Sequence, residues 1–213
     1  MDMTGINPST FLLPIWRSDQ DHLIWLQKRG VQSFREHKVL DLGCRSGHLC
    51  QEAIRLGARS ATGIDMENEE QLTAKAEKEG WQFLRIDLDH LQWDKQIAGT
   101  KAFTLIFAFD IIEHLQAPYA FLTACHRLLT KGGKLALTTP NVSSWERYLK
   151  PKKWSGVRDS QHKTLFCRYS FSFLLKQAGF VIEEISAPLR SLSFLGRMQP
   201  NIGGQIYCMA ERV

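Results

Sequence analysis

Asp41, Gly43 and Gly47 stand together at the end of the apolar run 39–42, just ahead of residues with helical spacing. A glycine turn that opens a helix presents unpaired N–H groups and partial positive charge, which suits the pyrophosphate of a dinucleotide. Asp41 points to a different ligand. A carboxylate beside the turn repels pyrophosphate and attracts an ammonium group, so the trio indicates a cofactor that carries an amine and no phosphates. Asp65 extends the pattern. It closes a second short apolar run, 60–65, 18 residues beyond Gly47. A carboxylate there can accept both hydroxyls of a ribose, and dinucleotide folds place their acidic residue at a similar interval of about 20. Standing alone, an aspartate at a strand end reads as a helix N-cap; its interval from Asp41 and Gly47 makes it a ribose ligand.

Two histidines can move a proton. His114 lies in Asp110-Ile111-Ile112-Glu113-His114-Leu115, after the apolar run 103–109, and His162 lies in the segment 159–166. Neutral imidazole, with a reference pKa of about 6.5, accepts a proton near physiological pH. Each also has a plain structural reading: His114 anchors a strand–helix junction, and His162 fixes a loop.

The acidic residue, the glycine turn and the second acidic strand end resemble the class I S-adenosylmethionine (SAM) methyltransferases, and the resemblance runs in order over residues 38–187. Thr139-Pro140-Asn141 after the Lys131-Gly132-Gly133 turn is similar to the subgroup of ubiquinone-biosynthesis and related small-molecule methyltransferases. The resemblance implies SAM as cofactor, held by Asp41, Gly43, Cys44, Gly47, Asp65, Met66, Asp87, Leu88 and Phe109, with Asp87 near the adenine amino group. It implies methyl transfer to a hydroxyl of a small-molecule acceptor, quinone-like, sugar or carrier-bound, with His114 or His162 as the base. One position departs from the family, whose second glycine is Arg45 here. A positive φ at that position disfavours arginine through its Cβ, and Arg45 is also a candidate partner for the methionine carboxylate.

Two alternatives stay open. Asp110, Glu113, His114 and His162 are similar to the Glu-x-x-Glu-His plus His metal set of small-RNA 3′-end 2′-O-methyltransferases, with a shorter Asp in first place. There a divalent ion polarises a ribose hydroxyl and basic residues hold phosphates. The leading reading assigns no metal and no nucleic acid. The other alternative is a catalytically silent SAM-binding scaffold, which rests on Arg45.

These residues need a scaffold that brings several strand ends to one edge. Strand patterns at 38–42, 60–65, 81–86, 103–109 and 134–139 alternate with helical patterns, and carboxylates close several of them. That order predicts an α/β, Rossmann-like doubly wound sheet of mostly parallel strands, with ligands beyond the carboxyl ends. Residues 180–186 and 205–210 are candidates for a closing hairpin with a terminal antiparallel strand. Pro118 fits the first turn of a helix over 118–129, and Gly57 and Gly179 fit helix C-termini.

Length and composition predict one domain spanning 1–213, with 44% hydrophobic and 23% charged residues. Residues 1–37 are expected to form N-terminal helices over the cleft, and 141–168 an insert after the fifth strand. That insert holds seven basic residues against two acidic ones, the whole net charge of +5. It reads as a solvated loop or as a basic lip for an anionic or carrier-bound acceptor. No apolar run is long enough for a membrane span, and five cysteines without a CxxC pair fit a reducing cytoplasm.

Overall fold

The computed structural model describes residues 17–28, 31, 33–67, 69–97, 103–189 and 200–213. In chain order its elements are α1 (Arg17–Gln27), β1 (Lys38–Leu42), α2 (His48–Arg55), β2 (Ser60–Asp65), α3 (Glu69–Glu79), β3 (Gln82–Arg85), β4 (Phe103–Phe109), α4 (Pro118–Leu128), β5 (Leu129–Pro140), α5 (Trp145–Leu149), α6 (Ser155–Arg158), α7 (Arg168–Gln177), β6 (Phe180–Ser186) and β7 (Gln205–Arg212). The strands form one sheet in the order β3-β2-β1-β4-β5-β7-β6. The first five are mutually parallel, and β7 runs antiparallel to both β5 and β6. The predicted hairpin is therefore present, with its antiparallel strand inserted between two others.

Parallel strands covered on both faces read as continuous apolar runs, because each side of the pleat meets a packed layer. The strands β1 and β4 follow that rule. Leu40, Leu42 and Ile106 pack on one face with Phe121 of α4 and Phe171 of α7, whereas Val39, Leu105 and Phe107 pack on the other with Leu26 of α1 and Ala53 of α2. Each such side chain, fully buried, contributes about 1.5–3 kcal/mol. From β1 the chain steps outward to β2 and β3, then returns to β4 on the other side of β1. That reversal leaves a crevice beyond the carboxyl ends of β1 and β4, where Asp41 is in register with Phe107.

The local signals hold in most places. Gly57, at φ 93°, follows α2, and Pro118 opens α4. Lys131-Gly132-Gly133 is a correction. The three residues form part of β5 instead of a turn before it, because Leu129 already pairs with Phe103. The register then shifts so that Leu105 faces Lys134, and Gly132 takes φ 75° within this irregularity. The basic segment is also more than a loop. It carries α5, a single tight turn at Pro151–Lys153 and α6, anchored by Trp154, which is 1% exposed. Gly156 is required there, since a Cβ would stand 2.0 Å from the Trp154 ring. The apolar residues 11–16 lie outside the described residues.

Candidate active site

A cleft of about 1440 Å³ opens along the carboxyl ends of the strands. Pockets for one drug-sized ligand run to about 1,000 Å³, so this cleft has room for two reactants side by side. Asp41, Gly43, Cys44, Asp65, Phe109, His114 and His162 all line it. Gly47, Met66, Asp87 and Leu88 do not stand in its walls. Gly47 shapes the turn from behind, Met66 follows Asp65, and Leu88 is buried in the core. Asp87 accepts the N–H of Asp89 at 2.9 Å.

The turn after β1 alternates in handedness. Gly43, Arg45 and Gly47 have φ 78°, 50° and 72°. A Cβ on Gly43 would come within 3.1 Å of Ile111, and one on Gly47 within 2.3 Å of the Trp81 ring. The left-handed backbone favours glycine at both positions, and at Gly47 the space also requires it. Arg45 occupies the same left-handed region with a side chain, a placement that costs about 1–2 kcal/mol for an ordinary residue. Its N–H donates to Asp65 Oδ2 at 2.8 Å, a charge-assisted bond that offsets the strain. Asp65 Oδ1 accepts from the N–H groups of Met66 (2.7 Å) and Glu67 (3.2 Å). The ribose-ligand candidate is thereby locked in one orientation, with acceptor capacity left over for hydroxyls.

Asp41 is 3% exposed and stands beside the turn, with the Cys50 thiol 3.9 Å from its Oδ2. Two further residues of this wall lack a sequence signal. Lys75 of α3 donates to the Ser46 carbonyl at 2.7 Å, tying the turn to a helix that reads as a solvated face. His22 of α1 is buried and stacks on Phe109, with ring centroids 4.1 Å apart.

Across the cleft, Glu113, His114 and His162 bring one ligand atom each within 4.8 Å of one another. Glu113 is 1% exposed, and burial, reinforced by the negative charge of Asp110, pushes its carboxyl up to about 8. Burial, with His162 adding, lowers the pKa of His114 and keeps it neutral at physiological pH. The Nδ1 of His162 lies 3.0 Å from the Gly156 carbonyl. A carbonyl only accepts, so Nδ1 donates to it, and Nε2 lies 4.0 Å from Glu113. Asp110 stays out of this cluster. Its Oδ1 accepts from the Thr138 hydroxyl at 2.9 Å and from the amide of Gln205, a contact between residues remote in sequence.

Comparison with known proteins agrees with this geometry. A family model described as a methyltransferase domain matches residues 22–185. The ubiquinone biosynthesis O-methyltransferase of Dinoroseobacter shibae is 34% identical over 110 residues, 51% of this chain and 43% of the relative. That of Maricaulis maris is 33% identical over 118 residues, 54% and 45% of the two chains. The matched stretch thus spans a little under half the length of these relatives. Among solved structures, an S-adenosylmethionine-dependent methyltransferase from Mesorhizobium loti superposes with a TM-score of 0.68 at 18% identity, covering 90% of this chain and 98% of that one. The 1,6-didemethyltoxoflavin-N1-methyltransferase of Burkholderia thailandensis, solved with S-adenosylhomocysteine, gives 0.63 at 16% identity over 90% and 76%. At such identities the likeness is one of fold.

Proposed function

This chain belongs to the methyltransferase-domain family, and on that premise we propose that it transfers the methyl group of SAM to a hydroxyl of a small-molecule acceptor. One observation carries the reading: a carboxylate-flanked glycine turn and a pair of imidazoles line a single cleft. The chain's residues fit the cofactor. Asp41 would face its ammonium, the turn whose Cβ positions are filled by Ile111 and Trp81 would receive its amino-acid end, and Asp65 would take its ribose hydroxyls. When bound, SAM supplies a methyl carbon activated by a sulfonium, which departs as a neutral thioether.

The protein's own part is alignment, exclusion of water and removal of one proton. His162 Nε2, or His114, accepts the proton of the acceptor hydroxyl while the oxygen's electron pair forms the new carbon–oxygen bond. Burial favours the neutral, proton-accepting form of His114 in this reading. The acceptor, quinone-like, sugar or carrier-bound, lies between these rings and Arg158 of the basic segment, which also lines the cleft. The matched relatives named as O-methyltransferases support oxygen as the target. Calorimetry with S-adenosylhomocysteine and with NADH, followed by labelled-methyl transfer to a panel of catechols and sugars, tests the reading. Heat from adenosylhomocysteine alone and a labelled ether product are expected; tight NADH binding without adenosylhomocysteine binding overturns it.

A second reading, metal-assisted methylation of an RNA 3′ end, is favoured by the convergence of Glu113, His114 and His162. One carboxylate and two imidazoles suit a divalent ion that would polarise a hydroxyl directly. Turnover unaffected by EDTA, together with RNA binding that does not respond to salt, removes this reading.

A further inference from the structure

Residues 155–165 form a strap over the cleft, fixed at both ends. Trp154 is buried at one end, and at the other Phe166 is buried and its carbonyl accepts the Val142 N–H at 2.8 Å. Between these anchors the His114 ring bonds to the Gln161 backbone, and Lys163 is held from two directions. The Glu113 carbonyl accepts the backbone N–H groups of Lys163 (2.8 Å) and Thr164 (3.1 Å). Lys163 Nζ reaches outward to Asp89 Oδ2 at 2.6 Å. Asp89 belongs to the loop after β3, and its Oδ1 accepts the Gln116 N–H at 2.7 Å, which ties that loop to the segment between β4 and α4.

We propose that Lys163 is a positioning residue whose bridge to Asp89 latches the strap to the loop after β3, so that a ligand ordering that loop fixes where His162 stands. The proposal rests on the reading of this cleft as a SAM site. The His162 ring takes its orientation from within the strap, through the Gly156 carbonyl, so any displacement of the strap carries the imidazole with it. The Lys163 and Asp89 side chains are 42% and 23% exposed, and a pair so placed adds little to global stability. Its effect lies in what it connects. It joins the loop beside the cofactor wall to the residue next to the base, and it does so at the point where the strap's only two backbone bonds to Glu113 are made.

Amide hydrogen exchange with and without S-adenosylhomocysteine tests the latch, because local opening is read directly as loss of protection. In the wild type the ligand should slow exchange at Thr164 and its neighbours by about tenfold or more; in Lys163→Met and in Asp89→Asn the slowing should fall to about twofold or less. Lys163→Arg, which keeps the charge and leaves Asp89 in place to accept the Gln116 N–H, should regain the protection. Ligand affinity by calorimetry should stay within about threefold throughout, as the contact is a partly exposed ion pair outside the binding turn. Equal protection in the wild type and both single variants, with the ligand bound, overturns the latch and leaves the cofactor reading intact. Absence of binding heat in the wild type overturns the cofactor reading, and the latch with it.

Discussion

The imidazole rings of His114 and His162 meet edge to face with centroids 4.6 Å apart, one at the exit of β4 and the other in the strap that follows β5. Two candidate bases are thus one site, and burial together with its neighbour lowers the pKa of His114. Substituting each by alanine separates their roles. The base itself should lose about 10²–10⁴-fold in kcat with adenosylhomocysteine affinity unchanged, while its partner should lose far less. Full turnover by both variants would exclude a histidine base.

Asp65 offers a sharper test of the cofactor wall. Its carboxylate collects three backbone N–H groups, and hydrogen bonds to a charged acceptor contribute about 1.5–3 kcal/mol each. Asp65→Asn keeps the volume and turns an amide donor toward one of those N–H groups. Adenosylhomocysteine should bind about 10–100-fold more weakly by calorimetry.

Arg45 and Gly47 should respond in opposite directions. Gly47→Ala meets both a left-handed φ of 72° and the Trp81 ring, so denaturant unfolding should show a loss of about 2–4 kcal/mol. Arg45→Gly removes a side chain from a left-handed position and keeps the N–H that binds Asp65. It should hold or gain about 1 kcal/mol, and unchanged adenosylhomocysteine affinity in this variant would exclude the guanidinium as partner of the methionine carboxylate.

Glu113 ties stability to pH. Its carboxyl rises from 4.5 in the unfolded chain to about 8 in the fold, so the folded state keeps a proton that the unfolded state releases. Stability is therefore full below pH 4.5, declines as pH rises toward 8 and levels off above. The loss is on the order of a few kcal/mol. Glu113→Gln should remove this decline and unfold at a higher denaturant concentration than the wild type above pH 8. A parallel pH dependence in the two proteins would contradict it.

Much of this arrangement is legible in the sequence, for reasons that differ by residue. The strands β1 and β4 declare themselves because burial on both faces leaves no room for polar residues, and Asp41 and Asp65 stand out as carboxylates that end such runs. The β5 irregularity is hidden, since Lys131-Gly132-Gly133 has local turn chemistry and only its pairing with β4 draws it into the strand. Lys75, Lys163, Asp89 and Gln205 are hidden for another reason. Each acts on a group far away in sequence, and a charged residue on a helix or loop looks solvated until the chain folds back. Among the described residues no helix is long and apolar enough to cross a membrane, and all five cysteines are free thiols.

The placement of β7 bears on how the protein is made. Gln205 reaches Asp110 only because β7 slots between β5 and β6, strands that leave the ribosome before it. A nascent chain complete through β6 has its earlier parallel strands yet lacks the wedge that joins β6 to the rest of the sheet. Until that wedge arrives, the free edge of β5 is a docking point for other strands. Closure of the sheet accordingly waits for β7, and a chain cut before Gln205 would be expected to aggregate rather than fold.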